Sequence, residues 1–205
     1  MSTLALLLAD ARFPAGGHAH SGGVEPAYTS GVVTDVPSLE LFLRGRLRTS
    51  GVTAAGLAAA ACTPTADWTL LDAEADARTP SPAQRDASRR QGRALLRTAR
   101  TAWPAAAWPP QSAPHHPIVL GAATAAAGCG PADAARVAAY QSVAGPASAA
   151  VRLLGLDPIA VSAVVARIVA MIDDLDWRDL PFPSAPNLDL LAECHATAEV
   201  RLFDS

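Results

Sequence analysis

The sequence predicts an all-α fold, a single-domain irregular helical bundle, and its composition and patterning carry that prediction. Half of the 205 residues are hydrophobic and only 5% are aromatic. Alanine, which has the highest helix propensity, is abundant along the whole chain. No stretch alternates between apolar and polar residues for long enough to indicate a strand. A chain of this length is sufficient for one domain with a sizeable core.

Helix signals recur along the N-terminal half of the chain. A short helix is expected over residues 3–11 and a second over 24–30, and glycine or proline follows each of them. Asp35 is a good N-cap for a third helix. We expect that helix to reach Ala61, with a bend at Gly51. Leucines at fourfold spacing give it an apolar face: Leu39, Leu43 and Leu47.

After Ala61 the chain is expected to be helical on both sides of a proline-rich loop. Residues 103–117 contain five prolines, which lack the amide hydrogen that a helix requires. Helices are expected at about 66–78, 82–102, 118–127, 131–153 and 157–175. We expect Gly145 and Pro146 to break the fourth of these. From Asp176 the chain is expected to be irregular and proline-rich, ending in a short amphipathic piece.

Charge and cysteine content exclude several classes of protein. The net charge is −3, which argues against nucleic-acid binding, and all 16 basic residues are arginine. The three cysteines are widely spaced and form no CxxC motif, so we expect no disulfide framework and a reducing cytoplasm. The apolar stretch 118–139 contains glycine, proline and charged residues, which favours buried helices over a membrane span.

The stretch FPAGGHAHSGGVE, residues 13–25, is the least ordinary part of the sequence. One interpretation is a metal site, because imidazole suits nickel, zinc and copper. Its ligands would be His18, His20 and Glu25, with His115 or His116 in addition. The HxH spacing places the two rings on opposite sides of an extended chain, and no HExxH motif supports the site. The other interpretation is structural: the glycines supply backbone conformations closed to other residues, and His20 and Ser21 fix the loop.

Two further features indicate contacts with other proteins. A basic stripe, defined by Arg85, Arg89, Arg93 and Arg97, winds slowly around one predicted helix. It is either a solvated face or a docking surface for an acidic partner, and Gly92 within it predicts a close helix crossing. The C-terminal tail, RLFDS, is apolar at Leu202 and Phe203, where disorder is the default. Either these residues fold back on the bundle or a partner covers them. We favour the partner, because the preceding proline-rich stretch lets the tail reach away from the body.

Taken in order, these segments resemble the UreF family of urease accessory proteins. PAGGHAHSGGVE at 14–25 is similar to the family's N-terminal signature, and RLFDS at 201–205 to its closing RLF-x-S. Weaker similarities lie between them at 39–43, 88–96, 116–121 and 148–158. His18 stands where the family usually has an aromatic residue. The positions that match are Gly16, Gly17, His20, Ser21, Gly22 and Glu25 in the first motif, and Arg201, Leu202, Phe203 and Ser205 in the last.

The resemblance implies a non-catalytic, all-helical chaperone in the cytoplasm. Such proteins bind a UreD/UreH-type partner, form a homodimer, recruit the UreG GTPase and help to deliver nickel to apo-urease. It implies no cofactor of the chain's own, since the complex handles nickel, and no nucleic-acid or membrane partner. It also implies a helical domain over 1–183 and a partner-binding tail over 184–205. The alternative is a small helical metalloprotein or metalloenzyme built on the histidines and Glu25 of the N-terminal loop.

Overall fold

The computed structural model describes residues 3–10, 12–14, 17–199 and 201–203, apart from the His18 side chain. The described residues contain helices and connecting loops but no β-ladder, which confirms the predicted all-α fold. The helices are α1 (Thr3–Ala9), α2 (Val24–Thr29), α3 (Val36–Arg46), α4 (Val52–Ala61), α5 (Trp68–Ala77), α6 (Pro82–Ala102), α7 (His116–Ala126), α8 (Pro131–Leu154), α9 (Pro158–Val169) and α10 (Pro186–Ala196). No described helix is long and apolar enough to cross a bilayer.

α3 and α4 form one helical run that is interrupted by a π-helical turn. Asp35 caps α3 in a capping box with Ser38, as its sequence position predicts. The helical path continues through the π-helical turn Leu47–Gly51 into α4 and reaches Ala61, as predicted. Gly51 is the last residue of this turn, and the bend expected there stays a prediction. The three leucines at fourfold spacing are fully buried, which confirms the apolar face: Leu39, Leu43 and Leu47.

The core forms where α4 packs against α7 and α8. α4 and α7 are rich in alanine and are buried around most of their circumference. Such small side chains let helix backbones approach closely, and longer apolar residues such as Ile118 and Leu120 fill the remaining space. α6 packs on α7 from outside, and α10 contacts α2 and α6. This arrangement brings the C-terminal segment to the side of the molecule that carries the N-terminal loop.

Gly92 is the point of closest approach between α6 and the start of α7. A Cβ at this position would lie 2.0 Å from the Pro114 carbonyl oxygen and 3.0 Å from the His116 amide nitrogen. Both neighbours are backbone atoms, which cannot move aside as a flexible side chain would. The close crossing that the sequence predicts is therefore present, although the partner is mainly the end of the proline-rich loop.

α8 runs unbroken through Pro146, so the break predicted at Gly145 and Pro146 is wrong. Proline has no amide hydrogen for the carbonyl four residues earlier, here that of Ser142. Arg46 supplies a replacement donor: its Nε lies 3.0 Å from the Ser142 carbonyl oxygen. A side chain from α3 thus satisfies the group that the proline leaves open, and the helix continues.

Candidate functional site

The N-terminal loop is ordered by a buried serine and two left-handed glycines. Ser21 is fully buried, and its Oγ accepts a hydrogen bond from the Glu25 amide at 3.4 Å. Gly22 and Gly23 have φ of 59° and 89°, in the region that favours glycine. A Cβ on Gly22 would lie 2.7 Å from Pro146 Cγ, so the loop backbone lies directly against α8. These contacts agree with the structural interpretation of the loop.

Glu25 binds the C-terminal tail through both carboxylate oxygens. Its side chain is buried, with the residue 5% exposed. The Leu202 amide donates to Oε1 at 2.8 Å and the Phe203 amide to Oε2 at 2.9 Å. His195 Nε2 donates to the Phe203 carbonyl at 3.1 Å and lies 3.6 Å from Glu25 Oε2. We call these four residues, Glu25, His195, Leu202 and Phe203, the tail clamp.

The side chains of the tail lie on both sides of this backbone anchor. The guanidinium carbon of Arg152 lies 4.6 Å from the centre of the Phe203 ring, within cation–π range. The Leu202 side chain points outward and is 72% exposed. Arg201 is exposed as well. The tail therefore presents an apolar and a basic side chain to the outside while its amides are held inside.

The expectation that the tail reaches away from the body is wrong for residues 201–203. The physical reason is the buried carboxylate of Glu25, which needs hydrogen-bond donors and finds them in the tail amides. Gly16 and Ser205, which were predicted to belong to the two motifs, lie outside the described residues, as does the His18 side chain. Gly17 lies in a short 3₁₀ turn, Gly17–Ala19, and His20 follows it. Partner binding by the motif residues stays a prediction.

The basic stripe is divided between internal contacts and exposed side chains. Arg89 Nη1 donates to Asp72 Oδ2 at 3.0 Å and to the Ala113 carbonyl oxygen at 2.7 Å, and its Nη2 donates to Asp76 Oδ2 at 2.6 Å. Arg85 donates to the carbonyls of Thr79 and Pro80. Arg93 and Arg97, further along α6, are exposed. A docking role for the basic stripe stays a prediction. Of its four residues, Arg93 and Arg97 have the exposed side chains that such a role requires.

His115 is the centre of a buried network that the sequence did not reveal. The residue is 1% exposed; Nδ1 lies 3.0 Å from Ser88 Oγ, and Nε2 lies 2.8 Å from Asp76 Oδ1. The backbone amide of His115 also donates to Asp72 at 2.7 Å. Burial lowers the pKa of His115, although hydrogen bonding to Asp76 acts against it. The network joins α5, α6 and α7 and accounts for His115 without a metal.

The described part of the chain contains no group of side chains that supports the metal-site interpretation. No three described His, Cys, Asp or Glu side chains converge there on a possible metal position. Glu25, one predicted ligand, uses both oxygens on the tail. Burial, with a smaller effect of nearby His20, lowers the pKa of His116 to about 4. The imidazole of His116 is therefore neutral at physiological pH.

Comparison with known proteins agrees with the resemblance along the whole chain. The family model UreF matches residues 33–169. Three curated relatives are each called urease accessory protein UreF. The protein from Mycobacterium sp. (strain JLS) is 46% identical over 99% of this chain and 98% of its own. Those from Mycolicibacterium vanbaalenii and Mycobacterium tuberculosis (strain H37Rv) are 45% and 42% identical, with full coverage of both chains. The chain belongs to the UreF family of urease accessory proteins.

Proposed function

We propose that this chain is a non-catalytic, cytoplasmic assembly factor that bridges a UreD/UreH-type protein and the UreG GTPase while nickel is inserted into apo-urease. Nickel is cargo of the assembled complex in this proposal, and the chain has no cofactor of its own. Homodimerisation within that complex is part of the same proposal. Family membership supports the urease connection, and the partners follow from the resemblance of the two terminal motifs.

The tail clamp is the observation that carries the proposal. It joins the two segments that most resemble the family, although 177 positions separate Glu25 from Leu202. A buried carboxylate that binds two backbone amides fixes the path of the tail without using its side chains. Arg201 and Leu202 stay exposed beside α2 and α10 as a result. This joint surface is the part of the molecule that we assign to the UreD/UreH-type partner.

The exposed half of the basic stripe is our candidate for the second partner. Arg93 and Arg97 lie on the outer side of α6, one turn apart, and both are exposed. Arginine presents a planar fork of donors that suits carboxylates on a facing protein. An electrostatic contact of this kind mainly changes association rate and salt dependence. We therefore assign these two residues to UreG.

Urease activity in reconstituted cells tests the proposed function. Cells would carry the urease subunits and the other accessory proteins, with or without this chain, at matched nickel and matched urease abundance. The proposal predicts activity only with the chain, and loss of activity when the chain is truncated before Arg201. Equal activity without the chain would overturn the assembly role. In that case the nickel and zinc content of the untagged chain, with and without His18→Ala and His20→Ala, tests the metalloprotein alternative.

A further inference from the structure

Arg46 has a role in α8 that uses only one of its three nitrogens. Nε donates to the Ser142 carbonyl, which Pro146 leaves without its helical donor. The two terminal nitrogens, Nη1 and Nη2, have no hydrogen-bond or carboxylate partner among the described residues. Nη2 faces the loop backbone, since a Cβ on Gly22 would lie 3.2 Å from it. A neutral donor would complete α8 equally well, so α8 alone does not account for the positive charge.

Arg46 is half-buried, and no carboxylate among the described residues neutralises its charge. Burial lowers the pKa of Arg46 to about 10, with no acidic neighbour among its causes. Other arginines of this protein show the opposite arrangement: Arg44 and Arg167 pair with Glu40, and Arg136 pairs with Asp173. A charge that is partly removed from water is stabilised by a counter-charge close to it. Arg46 lacks such a counter-charge among the described residues, so its two terminal nitrogens are available to an anion.

Arg46 lines a groove that has room for such a ligand. The groove has a volume of about 1350 Å³ and is lined by Arg46, Gly22, Pro146, His20, His116 and Gln141, among others. Two buried polar atoms on its walls lack a hydrogen-bond partner within the described ranges: His116 Nε2 and Gln141 Oε1. Gln141 is nonetheless held in place, because its Nε2 donates to the Leu8 carbonyl at 2.9 Å. Polar contents are therefore expected in this groove.

We propose that Arg46 binds a planar, carboxylate-type oxyanion in the groove between the N-terminal loop, α3 and α8. With Nε occupied, the free edge of the guanidinium is the Nη1–Nη2 pair, which presents two parallel N–H donors. A carboxylate or bicarbonate matches that edge with two oxygens, whereas a tetrahedral ion matches it less closely. The anion comes either free from solution or as an acidic side chain of a bound protein. Binding of a free anion does not depend on the proposed function, whereas a carboxylate supplied by the UreD/UreH-type protein rests on it.

The test removes the guanidinium without disturbing α8. In a Pro146→Ala background, residue 146 regains an amide for the Ser142 carbonyl, so Arg46→Met then deletes only the unused donors and the charge. Arg48→Met in the same background is the matched control, because Arg48 is exposed on the same helical run. The first readout is the affinity of the full-length chain for formate, acetate and bicarbonate, measured by titration calorimetry against chloride and sulfate. The second readout is the affinity for the UreD/UreH-type protein, measured with and without acetate. Acetate is added at about 100 times its own dissociation constant, or at high concentration if the chain does not bind it.

Each combination of results decides the proposal. Binding of the planar anions that Arg46→Met weakens roughly tenfold or more, and Arg48→Met leaves unchanged, supports a free-anion site. Partner affinity that falls with Arg46→Met and with acetate, but not with Arg48→Met, supports a carboxylate supplied by the partner. The proposal is overturned if Arg46→Met changes neither affinity. It is equally overturned if Arg48→Met has the same effect as Arg46→Met.

Discussion

Replacing Glu25 with glutamine should release the C-terminal tail while leaving the body of the protein folded. Glutamine has nearly the same shape, but it offers one acceptor oxygen where glutamate offers two. In the native protein the Leu202 and Phe203 amide nitrogens lie 2.8 and 2.9 Å from the two carboxylate oxygens. In the variant, one of these backbone donors faces the NH₂ group of the glutamine, which is itself a donor. A hydrogen bond to a charged group contributes about 1.5–3 kcal/mol. Docking of the tail should therefore weaken by a factor of roughly 10 to 150.

Hydrogen exchange of the peptide that contains Leu202 and Phe203 measures this change directly. Exchange at these amides should accelerate in Glu25→Gln by about the same factor, while the core helices α4 and α8 keep their protection. Glu199→Gln is the matched control, because Glu199 is exposed beside the tail and makes no contact with the tail amides among those described. If Glu25→Gln leaves the exchange of both amides unchanged, the reasoning about the tail clamp is refuted.

Three other substitutions test the packing and the electrostatics of the fold. Gly92→Ala should destabilise by about 3 kcal/mol, the upper end of the usual cost of overpacking, because its Cβ meets backbone atoms. Gly45→Ala, with open space around its Cβ, should stabilise by roughly 0.5–1 kcal/mol. Urea unfolding of both variants checks this pair. The free energy of unfolding should fall by up to about 3 kcal/mol as the pH decreases from about 6.5 to about 4, because His116 takes up its proton in the unfolded chain first. Unfolding curves of His116→Gln across that range should lack this pH-dependent loss. Arg89→Met should lower stability by about 3 kcal/mol or more, because it leaves the buried Asp72 without its ion pair. Arg93→Met, at an exposed position, should change stability by less than about 0.5 kcal/mol. Equal losses of stability for the two variants in thermal unfolding would contradict the division of the basic stripe.

Local chemistry was enough to predict much of the fold. The capping box at Asp35 and the fourfold leucines that follow it depend on residues a few positions apart, so the sequence displays them directly. The failure at Pro146 has the opposite cause. The donor that lets α8 continue belongs to Arg46, 96 positions away from Ser142. No local pattern around a proline indicates that a distant side chain will replace its missing amide.

The candidate site was predictable as two motifs but not as one structure. The terminal motifs stand out as unusual segments, yet their contact joins Glu25 to backbone amides, which every residue but proline carries. Backbone donors leave no signature in side-chain composition. His195 and Arg152 lie in segments that resemble the family, but their contacts with Phe203 were not predicted, since a lone histidine or arginine on a helix has many ordinary roles. A buried carboxylate without a nearby basic residue was the one signal that could have indicated a distant partner.

We propose that the docked tail and the N-terminal loop together form the surface that binds the UreD/UreH-type partner. The most direct measurement is the dissociation constant of that partner for the native chain and for Leu202→Asp, with Leu70→Asp as the control at another exposed leucine. The account predicts that Leu202→Asp weakens binding at least tenfold while Leu70→Asp binds as the native chain does. Native affinity in Leu202→Asp, with the tail still protected from hydrogen exchange, would contradict the account.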